Sequence, residues 1–266
     1  MSRRGLMMRA ATLSIALGLM LGSAPARAQS RPASPPPSTV PVDRVFVRID
    51  GGYRPAARSF TDTVRITQFV ESGRIDTAYR VKAAPEFDAA VGVRFWRRLA
   101  VAVDVSYLTK AGGGAVTAQI PHPFFFGRLR SVDGGATGLT RQETAVHAQA
   151  VWMTPLGDRD SRWRLDLAGG PSVFHVGQDV VQNVTVTETY PFDTATLATV
   201  AARRVAKSAV GFNAGADLTY MLSTTVGVGT TVTFSRARIK LPLDEGHSLT
   251  IDAGGALVGA GLRFRF

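Results

Sequence analysis

A row of apolar side chains at every second position constrains this chain more than any other feature. From Phe87 to Phe95, Phe87, Ala89, Val91, Val93 and Phe95 alternate with Asp88, Ala90, Gly92 and Arg94. After Trp96-Arg97-Arg98 the rhythm restarts, and Leu99, Val101, Val103, Val105 and Tyr107 alternate with Ala100, Ala102, Asp104 and Ser106. Successive side chains of a strand point to opposite faces, so each row marks one face of a sheet. Two such runs around a minimal turn predict a β-hairpin.

The same rhythm recurs through the chain. It places together Val45, Val47, Ile49 and Tyr53, then Thr144 to Trp152, then Trp163, Leu165 and Leu167. Val210 to Tyr220, Val226 to Phe234 and Ala256 to Phe266 follow. Eight strand cores result. Three connections between them are short, near 96–98, 154–162 and 222–224. Four are long, roughly 56–86, 108–140, 178–207 and 236–248. Short and long alternate strictly, as in a transmembrane barrel with tight turns at one end and long loops at the other.

The first residues carry a different signal. Arg3, Arg4 and Arg9 precede an apolar run from Ala10 to Leu21, and Ala26-Arg27-Ala28 closes it. A basic start, a short apolar run and an A-x-A site predict a secretory signal over 1–28. The run is too short for a membrane helix, which needs about 20 residues. Residues 29–42 include Pro32, Pro35, Pro36, Pro37 and Pro41, a composition that favours extended, solvated chain. They are expected to form a periplasmic linker before a barrel over 43–266. Removing 1–28 takes away four arginines and no acid, lowering the net charge from +11 to +7. That excess suits an acidic lipid surface, and export argues against a nucleic-acid partner. The chain contains no cysteine, which excludes disulfides and thiolate metal sites.

The faces opposite the apolar rows are small and charged. They carry Arg48, Asp50, Asp88, Arg94, Asp104, Glu143, Arg164, Asp166, Asp217, Arg263 and Arg265, with Gly and Ala between them. In an eight-stranded barrel these would form a lumen charge network, because the interior is just wide enough for side chains to fill it. An ordinary solvated polar face is the alternative. The aromatics favour the membrane barrel. Trp96, Trp152 and Trp163 all sit beside a short turn, with Phe95, Tyr220 and Phe264 at the same end. Aromatic rings gather at membrane–water boundaries, so Trp96, Trp152, Trp163 and Tyr220 are expected in one girdle. Tyr53, Tyr107, Phe212 and Phe234 are candidates for the other. The mean hydropathy of +0.08 is too low for a helical membrane protein, but alternating strands dilute an apolar face in just this way.

The final strand, with Val258, Ala260, Leu262, Phe264 and Phe266 on one face, resembles the C-terminal assembly signal of bacterial outer-membrane proteins. Together with the leader and the strand rhythm, the chain resembles the eight-stranded outer-membrane β-barrel domain family, the OmpA/OmpX-type small barrels. The resemblance implies insertion by the barrel assembly machinery. It also implies residence in the outer membrane of a Gram-negative-type bacterium, with both termini in the periplasm. Outer-membrane lipid and lipopolysaccharide would be its immediate partners. The expected fold is therefore an all-β, transmembrane, antiparallel up-and-down barrel of eight strands, with ten as the alternative, and with long extracellular hairpins.

The long connections contain further alternation. Thr63-Val64-Arg65-Ile66 and Ala78-Tyr79-Arg80-Val81 flank Glu71-Ser72-Gly73-Arg74, which reads as a turn, and Val180 to Thr189 is rich in Val and Thr. These segments are expected to continue the strands above the membrane. Ile120-Pro121-His122-Pro123-Phe124-Phe125-Phe126 is expected to pack against the barrel mouth or a neighbouring hairpin, since clustered aromatics usually bury area. An exposed contact for a partner is the alternative. Arg128 and Arg130, next to it, are candidates for binding anionic lipopolysaccharide, with plain solvation of the loop as the alternative.

No catalytic or metal motif stands out among His122, His147, His175 and His247. Ser172 and His175 are three apart and would face opposite sides of a strand. No cofactor is expected and the loop ligand is open. The favoured function is a scaffold displaying surface loops. A channel for small or apolar solutes, a lipid-modifying enzyme and a soluble lipocalin-like barrel with the opposite facing are the alternatives.

Overall fold

The computed structural model describes residues 44–266, apart from 56, 158–160 and 245–246. The expected leader (1–28) and linker (29–42) lie outside the described residues. Ten strands follow in chain order: β1 Val45–Arg54, β2 Arg58–Gln68, β3 Glu71–Val81, β4 Ala84–Trp96, β5 Leu99–Pro121, β6 Leu129–Leu156, β7 Trp163–Glu188, β8 Ala195–Met221, β9 Val226–Asp244 and β10 His247–Arg265.

Eight of them close a ring. β1 pairs with β4 on one edge and β10 on the other, and β4-β5-β6-β7-β8-β9-β10 completes the circuit through antiparallel neighbours. The remaining two, β2 and β3, are a hairpin inserted between β1 and β4. β3 pairs through Arg74–Arg80 with Gly113–Gln119 of β5, beyond the stretch of β5 that pairs with β4. The ring is thus eight-stranded, and the extra pair lies above it. The turn of that hairpin is Phe69-Val70, not Glu71–Arg74 as the sequence suggests. Both residues have positive φ, 51° and 66°. Gly or Asn normally marks this turn, so its identity was hidden.

Parity decides the facing. The outward row of every ring strand is apolar across about nine residues, from Leu99 to Tyr107 on β5 and from Tyr220 to Phe212 on β8, for example. Among the described residues no Asp, Glu, Lys or Arg lies on these outward stretches. A tilted strand of this length crosses a bilayer core. A soluble barrel has the opposite polarity, and the fold is a transmembrane antiparallel up-and-down barrel.

The same strands run on past the belt. From Tyr107 to Pro121, β5 rises roughly 30–35 Å further, given the usual rise and tilt. In this crown the inward residues become apolar. Ile75, Tyr79, Val116, Ile120, Val132, Phe174, Val180, Ile239, Leu241 and Ile251 form one apolar core. The change follows from solvent. With water outside the crown, burial of apolar groups is favourable again. Tyr79 stacks on Phe60 at 4.6 Å and accepts a 2.7 Å hydrogen bond from the Val181 amide, at an irregularity in β7–β8 pairing. A smaller cluster of Ala100, Ala102, Val151 and Met153, backed by Phe46, lies near the short turns at the level of Arg94, Asp166 and Arg265. The Phe46 ring lies in the space a Cβ on Gly92 would need, so glycine there is a packing requirement.

Candidate functional site

Below the crown core the lumen is mostly polar. In the inward rows stand seven arginines (48, 54, 94, 141, 164, 263, 265) and seven carboxylates (Asp50, Asp88, Asp104, Asp166, Asp217, Glu86, Glu143). These fourteen charges cancel, and Lys110, partly buried in the inward row of β5 opposite Arg141, adds one positive charge. Closer to the short-turn end, Arg48 Nη2 lies 2.6 Å from Asp104 and 3.5 Å from Asp88, while its Nε is 3.3 Å from Asp50. Arg263 grips Asp217 and also meets Asp50 at 2.8 Å. Arg164 and Asp166 pair at 2.8 Å. Arg94 and Arg265 are half-buried in the same rows near that end.

A second cluster lies towards the crown. Arg54 takes Glu86 in a bidentate pair at 2.8 and 2.7 Å and reaches Glu143 at 2.6 Å. Arg141 donates to Glu143 at 2.7 Å. Arg54, Glu86 and Arg141 were absent from the sequence expectation, although each shares inward parity with residues that were included. Parity alone would have found them, had the strand cores been extended by two to four residues.

A chain of neutral hydrogen bonds links the charges across the lumen. Gln149 donates to Asp104 at 3.2 Å and to Asn213 at 2.9 Å. Asn213 donates to the Ser172 hydroxyl at 2.9 Å. Ser172 lies 2.7 Å from His147 Nδ1, and His147 Nε2 lies 3.4 Å from Ser106. Sequence spacing did not pair His147 with Ser172, because 25 residues separate them. His175 points outward and meets Ser208 at 3.0 Å, so it does share no face with Ser172. A serine beside a histidine is the start of a nucleophile arrangement. Here Ser172 is 1% exposed and its oxygen already holds two side-chain partners. The geometry fits a structural network better than a reacting centre.

Little space remains inside. A cavity lined by Arg48, Gln149, Arg164, Asp166, Asp217 and Arg263 measures about 20 Å³, as does another beside Arg54, Arg141 and Glu143. That is room for about one water each.

The outward aromatics form two levels. Trp96, Trp152 and Trp163 are exposed near the short turns, and the Trp163 and Tyr220 rings lie 4.9 Å apart. At the crown side Tyr53, Phe87, Tyr107, Phe212 and Phe234 are exposed, with Phe212 and Phe234 6.1 Å apart. Val258, Leu262 and Phe266 also point outward.

The crown ends in three hairpin tips that meet. The Gly127 amide donates to Glu71 beside the Phe69-Val70 turn. Arg128 pairs with Asp193 at 2.9 Å. Arg130 is buried, paired with Glu188, and donates to the Phe192 carbonyl at 2.9 Å. Arg128 and Arg130 thus tie hairpins together, with the Arg128 side chain still half exposed. The aromatic loop is split. Ile120 and His122 are buried, but Phe124, Phe125 and Phe126 are exposed, Phe126 by 90%. Tyr190 and Val70 are also exposed, and Phe124 lies 5.4 Å from Phe192. Packing against the mouth therefore holds for the start of the loop only. Phe69, Val70 and Phe192 all carry positive φ, a conformation that costs of order 1–3 kcal/mol each and is held by these cross-ties.

The crown wall is interrupted on both sides of the β9–β10 hairpin, since β8 pairs with β9 only as far as Gly211 and Ala237. β1 pairs with β10 as far as Tyr53 and Val258, and the chain then turns away into β2. Side chains replace the missing strand. Arg58 donates to the Asp252 carbonyl at 2.7 Å and to the Gly254 carbonyl, and Arg141 also donates to Asp252 O at 2.7 Å. The Gly254 amide donates to Glu143 at 3.1 Å. Gly254 has φ +82°, which lets its amide turn inward; an alanine Cβ there would strike the Ser235 backbone.

No protein-family profile matches the sequence, and no curated protein matches it. The structure is similar to Neisserial surface protein A, at 12% identity and TM-score 0.45, over 84% of this chain and 97% of that one. It is also similar to the attachment invasion locus protein Ail of Yersinia pestis, at 13% identity and TM-score 0.38, over 83% and 99%. A third similar structure is the outer membrane protease OmpT of Escherichia coli, at 10% identity and TM-score 0.46, over 84% and 97%. The likeness extends to no residue's role.

Proposed function

We propose that this chain is a non-conducting outer-membrane barrel of a Gram-negative-type bacterium that acts as a scaffold, holding a rigid β-crown and its aromatic tip away from the bilayer. The filled lumen is the observation that carries this reading. A network of charge pairs inside the belt, with an apolar core above it in the crown, leaves cavities the size of single waters. Hydrated solutes need a continuous path, which the solute-channel reading would require. The short turns and both chain ends of the barrel would face the periplasm, and the crown the exterior. Outer-membrane lipid would contact the apolar belt, with Trp96, Trp152, Trp163 and Tyr220 in the inner girdle. The Ser172–His147 pair supports no enzymatic reading, because a substrate would have to displace the network to reach it.

Planar-bilayer recording of the refolded protein tests the central claim. No steady conductance is expected, and a stable open channel at neutral pH would overturn the scaffold reading. Residence in the outer membrane is tested by fractionation, with recovery as a soluble periplasmic protein the contrary result.

The outward row Val258, Ala260, Leu262, Phe264 and Phe266 would be the surface that the barrel assembly machinery engages. Phe266→Ser is expected to lower the assembled yield in cells severalfold, while refolding into detergent in vitro proceeds at the wild-type level. Equal loss in both settings would mean that Phe266 serves folding rather than recognition.

A further inference from the structure

The seam between β2 and β10 opens outward as a groove of about 420 Å³, lined by Arg58, Phe60, Arg141, Arg238, Thr250 and Asp252. Its height is set by the strands. Arg236, Arg238 and Lys240 continue the outward row of β9 directly after Phe234, the last aromatic of the belt. Cross-strand register places Arg236 opposite Phe212 on β8 and Arg238 opposite Asp252 on β10. The basic row and the groove therefore sit where the apolar belt ends, at headgroup level.

The site is short of negative charge. Asp252 lies 3.3 Å from Arg236 and 3.8 Å from Arg238, and it is the acid shared by both. Glu143 and Glu86 are engaged by Arg54 and Arg141. Six bases, Arg54, Arg58, Arg141, Arg236, Arg238 and Lys240, thus stand with three acids. Arg58 donates to the Asp252 and Gly254 carbonyls. Its pKa is held below the ordinary arginine value by burial first, and by the Arg141 and Arg54 charges against the pull of Glu143. An anion entering the groove would relieve this excess. Guanidinium groups match phosphate oxygens in bidentate geometry, and the groove is large enough for a phosphorylated sugar.

We propose that the groove between β2 and β10, with the row Arg236, Arg238 and Lys240 beside it, binds the phosphate groups of a phosphorylated glycolipid in the adjacent leaflet. The proposal rests on the reading that the apolar belt lies in the outer membrane. Charge complementarity and continuity with the lipid-facing belt select the ligand. The exposed bases collect the phosphates, Arg58 and Arg238 orient one at the groove, and the acyl chains lie along the belt below. Arg128 and Arg130 lie at the far tip, paired with Asp193 and Glu188.

The test uses protein refolded in a neutral, phosphate-free detergent, with native mass spectrometry counting bound lipid. The probes are bisphosphorylated lipid A, the same acylated disaccharide without phosphates, and inorganic phosphate. Bisphosphorylated lipid A is expected to bind, and removal of its phosphates to weaken it severalfold or more. The triple variant R236Q/R238Q/K240Q should lose about fivefold per base, or roughly a hundredfold in all. These three side chains are exposed, so the variant should fold; Arg58→Gln is a second variant, at greater risk because Arg58 also caps β10. Undiminished binding of the dephosphorylated lipid, or unchanged affinity in the triple variant, would overturn the proposal. So would inorganic phosphate binding as tightly as the lipid, since that marks a free-anion site. Failure of the membrane reading itself would show separately, as protein that never enters bilayer vesicles before any glycolipid is added.

Discussion

Replacing Arg48 with Met is expected to destabilise the folded barrel by about 3–5 kcal/mol, the largest single effect anticipated for this chain. Arg48 is buried and meets Asp104, Asp88 and Asp50 within 3.5 Å. Met keeps much of the volume but removes the charge, leaving Asp88 and Asp104 buried without their cation while Asp50 keeps Arg263. Asp88 and Asp104 must then protonate, repel one another or admit solvent, and each route costs free energy. Urea unfolding in lipid vesicles, followed by tryptophan fluorescence, measures the loss. Adding Asp88→Asn and Asp104→Asn to the Met variant should recover a substantial part of it. A loss below about 1 kcal/mol would mean that water already solvates these groups, contradicting a filled lumen. The same variant bears on function, because an unpaired acidic cluster that draws in water is the change most apt to produce measurable conductance.

The mirror-image substitution probes the outside. Val103 lies at the middle of the outward row of β5 and is half exposed. Val103→Arg places a charge at the centre of the belt, where the expected cost is about 2–4 kcal/mol, while Thr109→Arg, above Tyr107, should cost about 0–1 kcal/mol. The contrast matters more than either value. If both variants unfold at the same urea concentration as the parent in vesicles, the belt does not face hydrocarbon. On an exposed surface in water neither arginine would matter, so the depth dependence separates a membrane barrel from a soluble one.

Much of the membrane part was legible in the sequence, for a local reason. Facing in a strand follows from odd or even position, and the belt requires every outward residue to be apolar over about nine positions. That constraint wrote the same rhythm eight times and placed Arg48, Asp88, Asp104 and Arg263 on the opposite face. The crown was legible less well. There the outside meets water and the inside is apolar, so the rhythm survives with its meaning reversed and looks like loop. The Phe69-Val70 turn lacked turn residues, because cross-ties from Glu71 and Gly127 hold the neighbouring segments in place. The aromatic run at 120–126 was expected to bury itself; convergence of three tips instead leaves its phenylalanines in solvent.

From the sequence alone come strand parity, the apolar belt, the aromatic levels and the stock of inward charges, because each depends on neighbours along the chain. Partnership is another matter. Arg54 and Glu143 are 89 residues apart, Arg58 and Gly254 are 196 apart, and Ser172 meets His147 across two strands. Closure of the ring brings Arg54 to Glu143 and the return of β2 brings Arg58 to Gly254, while the β6–β7 register sets Ser172 opposite His147. Only the departure of β1 from β10 opens the groove beside Arg238. Those distances belong to the closed sheet, where a shift of one residue would turn every lumen charge towards lipid.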